Sequence, residues 1–157
     1  MIFHFSIAAR NPKHTANVLA EIFGGEAHPF PVFEGSWMAH AGDDRNTMIE
    51  IYPHGNELVP ADGMEDAKAI RNQRPSPSTA THAAVATPLT EAQVKAIAAR
   101  EGWIAKTLNR GGMFRVIEFW VENTLMIEVL TAEMQKEYLA ALTLDNWKKA
   151  LAAAPAA

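Results

Sequence analysis

A small set of residues recurs in this chain at a constant separation of 78. His4 returns as His82, Gly24 as Gly102, and Met48-Ile49-Glu50 as Met126-Ile127-Glu128. Each glutamate follows its histidine by 46 residues. A fixed period of this length points to two copies of one supersecondary unit, whose apolar faces are buried together rather than singly. Other identities are sparse (Ala8/Ala86, Ala20/Ala98, Ala27/Ala105). The weight falls on polar residues returning at matching places inside apolar strands, where propensity would not put them.

The order of elements repeats with the residues. Residues 2–9 are rich in Ile and Phe and read as a largely buried strand. Asn11-Pro12 then supplies an N-cap and a first-turn proline for a helix reaching Phe23, which Gly24-Gly25 ends. Strands are expected at 27–33, 36–41 and 46–52; Pro29 and Pro31 place the first of these at a sheet edge. In the second half a strand at 81–87 leads to the capping box Thr90-Glu91-Ala92-Gln93 and a helix closed by Gly102. Three strands follow at 102–108, 113–121 and 125–130, the last two joined by a tight turn. The reading is an α+β fold of two tandem βαβββ modules around a cleft, residues 1–53 and 79–131. The connection, 54–78, is rich in Pro and Gly, carries an expected short helix near 65–71, and is long enough to fold over a pocket. Residues 132–157 form a helical extension, with a further turn around Trp147 and an Ala/Pro-rich tail at 152–157.

Composition removes several kinds of function. The 157 residues hold no cysteine, so disulfides, thiol nucleophiles and zinc-thiolate sites are excluded. With 14 basic and 18 acidic residues, and no basic cluster denser than Lys148-Lys149, there is no electrostatic footprint for nucleic acid. The opening Met1-Ile2-Phe3-His4-Phe5 is too short and mixed for a secretory apolar region, and no apolar run spans a bilayer; a cytoplasmic protein is expected.

Strand parity supplies the chemistry. Side chains alternate faces, so His4 shares a face with Ser6 and Ala8, and Glu50 with Met48 and Tyr52. His82 likewise goes with Ala84 and Ala86, and Glu128 with Met126 and Leu130. Each module turns its aliphatic face to its helix and one His and one Glu the other way. If the modules face each other, His4, Glu50, His82 and Glu128 converge. Two carboxylates in one apolar cleft repel, and a divalent cation relieves that repulsion. Imidazole with carboxylate suits Ni, Co, Zn, Mn or Fe.

This arrangement resembles the vicinal oxygen chelate superfamily, which includes glyoxalase I, methylmalonyl-CoA epimerase, extradiol dioxygenases, fosfomycin-resistance enzymes and bleomycin-binding proteins. The likeness covers residues 2–131. It implies that His4, Glu50, His82 and Glu128 hold one divalent metal per site, and that Glu50 and Glu128 are the catalytic carboxylates. Retention of both glutamates favours the glyoxalase-like and epimerase-like branch, in which the ion polarises a carbonyl and a glutamate moves a proton. The expected function is a metal-dependent isomerase, epimerase or lyase on a small oxygen-chelating substrate. An Fe(II) extradiol-type dioxygenase and a metal-free drug-binding or small-molecule-binding protein are the alternatives. A homodimer is expected. The chain departs from the family at Glu122-Asn123-Thr124, shorter than the usual aspartate-proline-x-glycine turn, and in its first helix, which lacks the Phe-Tyr pair.

Three further residues are candidate substrate contacts. Arg115 shares the Glu128 face if the last hairpin turn has two residues; a three-residue turn brings Glu118 and Trp120 inward instead. The two-residue turn is preferred here, with Arg115 as a cation for a substrate carboxylate or phosphate. Tyr52 is placed to donate a hydrogen bond to a bound oxygen, and Trp37 to wall the pocket.

Overall fold

The structure, a computed structural model, describes residues 2–153. The expected tail beyond residue 153 lies outside these. In the first half, β1 (His4–Ala9), α1 (Pro12–Phe23), β2 (Glu26–Pro29), β3 (Trp37–His40) and β4 (Met48–Pro53) form one module. Its sheet has the order β1-β4-β3-β2, with β1 and β4 parallel and the other pairs antiparallel. The second half repeats this with β7 (Ala83–Ala86), α2 (Glu91–Glu101), β8 (Ile104–Arg110), β9 (Phe114–Val121) and β10 (Leu125–Leu130), ordered β7-β10-β9-β8. The proline-bearing β2 is an edge strand. It stops at Pro29 rather than continuing to residue 33, because a proline cannot donate to the ladder and 31–35 turn instead.

The local signals act as their chemistry requires. Asn11 Oδ1 accepts the His14 amide at 3.1 Å, Pro12 opens α1, and Gly24 closes it in the left-handed region at φ 71°. At α2 the capping box forms in both directions, with Thr90 accepting from the Gln93 amide and Gln93 accepting from the Thr90 amide. Thr131 caps α3 (Ala132–Ala141), and α4 (Leu144–Ala153) extends well beyond the single turn expected at Trp147.

The connection differs from expectation. Instead of a short helix near 65–71, β5 (Asn56–Val59) and β6 (Lys68–Arg71) pair as an antiparallel hairpin. A helix this short fixes several residues for few hydrogen bonds. The hairpin gives the same segment a ladder, with Arg71 reaching the His54 carbonyl and Asn72 the Glu57 carboxylate.

The modules share one core. Helix α1 buries Thr15, Ala16, Val18, Leu19, Ala20, Ile22 and Phe23, too wide an arc for one sheet. Its remaining contacts are with the second half. Glu21 binds Arg100 through both oxygens at 3.1 and 2.7 Å, and His14 meets Glu101 at 2.6 Å. The Arg10 and Asn11 amides donate to Glu122 at the β9–β10 turn, at 2.8 and 3.0 Å. Among the described residues no helix is long and apolar enough to cross a membrane.

Candidate active site

Parallel pairing of β1 with β4 sets His4 opposite Met48 and Ser6 opposite Glu50. His4, Ser6, Glu50 and Tyr52 therefore stand on one face, turned away from α1. Glu50 Oε2 accepts from Ser6 Oγ at 2.8 Å and from Tyr52 Oη at 2.9 Å. Its other oxygen, Oε1, faces His4 Nε2 at 3.8 Å. The carboxylate is largely buried, whereas the imidazole is half exposed. Two hydroxyl donors on one oxygen fix the carboxylate's orientation and leave the other oxygen free toward His4.

Tyr52 itself is buried, its ring held edge-on by Phe30 and Phe33. Burial, and secondarily its hydrogen bond to the Glu50 carboxylate, push its phenol up to about 12. The folded state thus holds the proton more tightly than the unfolded chain. The associated stability is fully present below the ordinary value of 10.0 and is lost as pH rises through about 12. Ultraviolet titration of a Tyr138→Phe variant, which leaves Tyr52 as the one tyrosine, is expected to give a midpoint near 12. A midpoint at the free-tyrosine value would contradict the Glu50 contact.

The second half builds a different site on equivalent strands. Ala84, opposite Glu128, takes the place of Ser6, so no hydroxyl reaches the carboxylate from β7. Instead Arg110, at the end of β8, donates to Glu128 Oε1 from Nε at 3.2 Å and from Nη2 at 2.5 Å. The same Nη2 reaches Glu118 Oε1 at 2.8 Å, and Trp120 Nε1 meets Glu118 Oε2 at 3.3 Å. Both carboxylates hold the guanidinium firmly charged. His82 lies just before β7, exposed, with Nδ1 at 3.1 Å from the Ala80 carbonyl. It makes no ion pair with Glu128 among the described residues.

Two sequence expectations are corrected here. Leu125 pairs with Val121 and Glu128 with Glu118, so the hairpin loop has three residues, with Glu122 and Asn123 both at positive φ. That register brings Glu118 and Trp120 to the Glu128 face and puts Arg115 on the opposite one, where α3 supplies its partner, Glu137. Trp37 pairs with Ile51, on the α1 side of its sheet, and Lys13 of α1 lies over its ring at 5.1 Å. It does not wall the cleft. Glu118 is the alternative that the three-residue turn offered; Arg110 was missed by sequence reasoning. Adopting the three-residue turn would have found Arg110 as well, since two facing glutamates require a nearby cation.

The candidate ligands fit a divalent ion unequally. Donors about 2.0–2.2 Å from one ion stand roughly 3.0–3.4 Å apart, so the 3.8 Å between His4 and Glu50 closes with a small rotation. Glu128 is already neutralised by Arg110, which an incoming ion would have to displace. His4 and His82 both line a groove of about 780 Å³ between the edge strands β1 and β7. Among the described residues, no three His, Asp or Glu side chains gather within one chain closely enough to hold an ion.

Known structures match this architecture. A protein assigned to the glyoxalase family from Bacillus anthracis superposes with TM-score 0.53 at 18% identity, over 82% of this chain and 92% of that one. The fosfomycin resistance protein FosX from Listeria monocytogenes gives 0.53 at 14% identity, over 87% and 97%. Lactoylglutathione lyase from Agrobacterium tumefaciens gives 0.53 at 11%, over 85% and 94%. The chain has the vicinal oxygen chelate fold. Within that fold the identities establish architecture rather than reaction. No protein-family model matches the chain, and no curated protein matches it in sequence.

Proposed function

We propose that this chain is a glyoxalase-like enzyme that moves a proton on a small oxygen-bearing substrate, as an isomerase, epimerase or lyase. The observation that carries the reading is the paired placement of His and Glu. Glu50 and Glu128 occupy equivalent register positions, opposite Ser6 in β1 and Ala84 in β7, with His4 at the start of β1 and His82 just before β7. In this reading all four residues hold one divalent ion of the Ni, Co, Zn, Mn or Fe class. When bound, such an ion polarises a substrate oxygen. Glu50 is the better proton carrier, since Ser6 and Tyr52 orient its carboxylate while Arg110 occupies Glu128. The separation of the two half-sites within one chain supports a homodimer in which each half faces its complement from another copy.

Proton transfer at carbon has a direct signature. The purified protein, supplied with divalent metal and a panel of α-hydroxy ketones and 2-substituted thioesters in deuterium oxide, is expected to exchange a substrate C–H. Glu50→Gln is expected to slow exchange by about 10²–10⁴-fold, the usual share of a general base. Oxygen consumption with catechols, without exchange, would favour the dioxygenase alternative instead.

A second reading rests on one observation, the Arg110 bridge. A guanidinium already seated between Glu118 and Glu128 relieves their repulsion without an ion, as a metal-free small-molecule binder requires. Retention of ligand binding by Glu128→Gln under chelator would favour that reading.

A further inference from the structure

The inter-module connection partly covers a chamber on the Glu50 face of β1 and β4. After the β5–β6 hairpin the chain returns across residues 76–81 and leaves a cavity of about 310 Å³ against β1 and β4. Ser6 and Tyr52 form its floor, and Ser76, Ser78, Thr79 and Thr81 its roof. No Asp, Glu, Lys or Arg lines it among the described residues. His54, Asn56 and the apolar Ile7, Leu58, Pro77 and Leu125 share the lining with the hydroxyls, a setting for a neutral molecule that carries polar groups on a carbon frame.

The direction of the floor's hydrogen bonds is fixed. Ser6 and Tyr52 both spend their protons on Glu50 Oε2. What they present to the chamber is therefore lone pairs, which call for a ligand that donates. The roof complements this. Thr79 Oγ1 accepts from the Thr81 amide at 3.0 Å, which leaves its own proton available to a ligand oxygen. A hydroxyl-bearing ligand can donate at one side and accept at the other. The volume equals roughly ten waters at about 30 Å³ each, room for a polyol of about five carbons with water beside it.

We propose that this chamber binds a small uncharged polyol, or the polyhydroxylated end of a substrate, through hydroxyls donated to Ser6 Oγ and Tyr52 Oη. The site belongs to the face assigned above to catalysis and rests on that reading for its role, but its binding chemistry needs no metal. It names the neutral, hydroxyl-bearing part of the substrate as the part held beside Glu50.

The test is calorimetric titration of the full-length chain in excess chelator, with ribitol as probe. The comparison ligands are 1-pentanol and fully O-methylated ribitol. Saturable binding of ribitol is expected, at least about tenfold tighter than either comparison ligand. Tyr52→Phe, which keeps the ring and removes the acceptor, is expected to weaken it about 3–10-fold, the worth of one hydrogen bond. Ser78→Ala on the exposed roof tests the same chamber without touching the packed floor and is expected to weaken it less. In Glu50→Gln the amide donates to the floor hydroxyls, so the preference for ribitol over its methylated form is expected to narrow. Equal affinity for ribitol and 1-pentanol, or no change in both Tyr52→Phe and Ser78→Ala, would overturn the proposal. Ribitol binding by a protein that never takes up metal would uphold the chamber and defeat the metalloenzyme reading. Metal uptake without ribitol binding would do the reverse.

Discussion

Phe119→Ala is expected to remove about 3–5 kcal/mol of folding stability, the usual loss for a buried aromatic ring, and to lower the melting temperature by roughly 6–20 °C. Phe119 is fully buried on β9 and meets Trp103 edge-on at 5.6 Å; Trp103 in turn meets His14 of α1 at 6.3 Å. The ring therefore stands in the second sheet but supports the helix of the first module. Because the buried residues of both halves form one continuous cluster, the loss is expected in a single transition, followed equally by near-ultraviolet and far-ultraviolet dichroism. Two separated transitions, with one unchanged, would mean that the halves fold independently.

Arg110→Met is expected to act through charge rather than volume. It leaves Glu118 and Glu128 facing each other across β9 and β10, both largely buried, without the cation that bridges them. Removing one member of a buried ion pair costs about 3–5 kcal/mol; partial exposure of this cluster lowers the expectation to about 2 kcal/mol, or roughly 4–8 °C. The informative part is the rescue. If Glu128 is a metal ligand, millimolar manganese or zinc is expected to restore most of the lost stability in Arg110→Met while shifting wild type less, since the ion no longer competes with the guanidinium. A variant as stable as wild type, or one indifferent to metal, would show that the bridge does not guard a cation site.

Both expectations draw on features with different standing in the sequence. The repeat was legible because His4 and His82 share an offset with Glu50 and Glu128, and parallel pairing keeps it in register at Ser6–Glu50 and Ala84–Glu128. The helices were legible for local reasons, since Asn11-Pro12 and Thr90–Gln93 satisfy orphan amides from within a few residues. The β9–β10 turn was not. Two- and three-residue loops are both common, and a slip of one residue reverses every side chain on the strand. That single choice exchanged Arg115 for Glu118 and concealed Arg110. The β5–β6 hairpin was hidden for a related reason, since Lys68–Arg71 is too short for its period to distinguish strand from helix. The chamber under residues 76–81 depends on how the connection crosses β1, a tertiary fact that no local pattern encodes.

In the proposed function, two half-sites of His and Glu serve one metal ion. Elemental analysis of the purified, untagged protein after metal loading, beside a His4→Ala/His82→Ala double variant, tests it most directly. The account predicts about one Ni, Co, Zn, Mn or Fe per site in wild type and its loss in the double variant, with both proteins equally folded. A wild type that stays free of metal after reconstitution, or a double variant that keeps its full content, would contradict it.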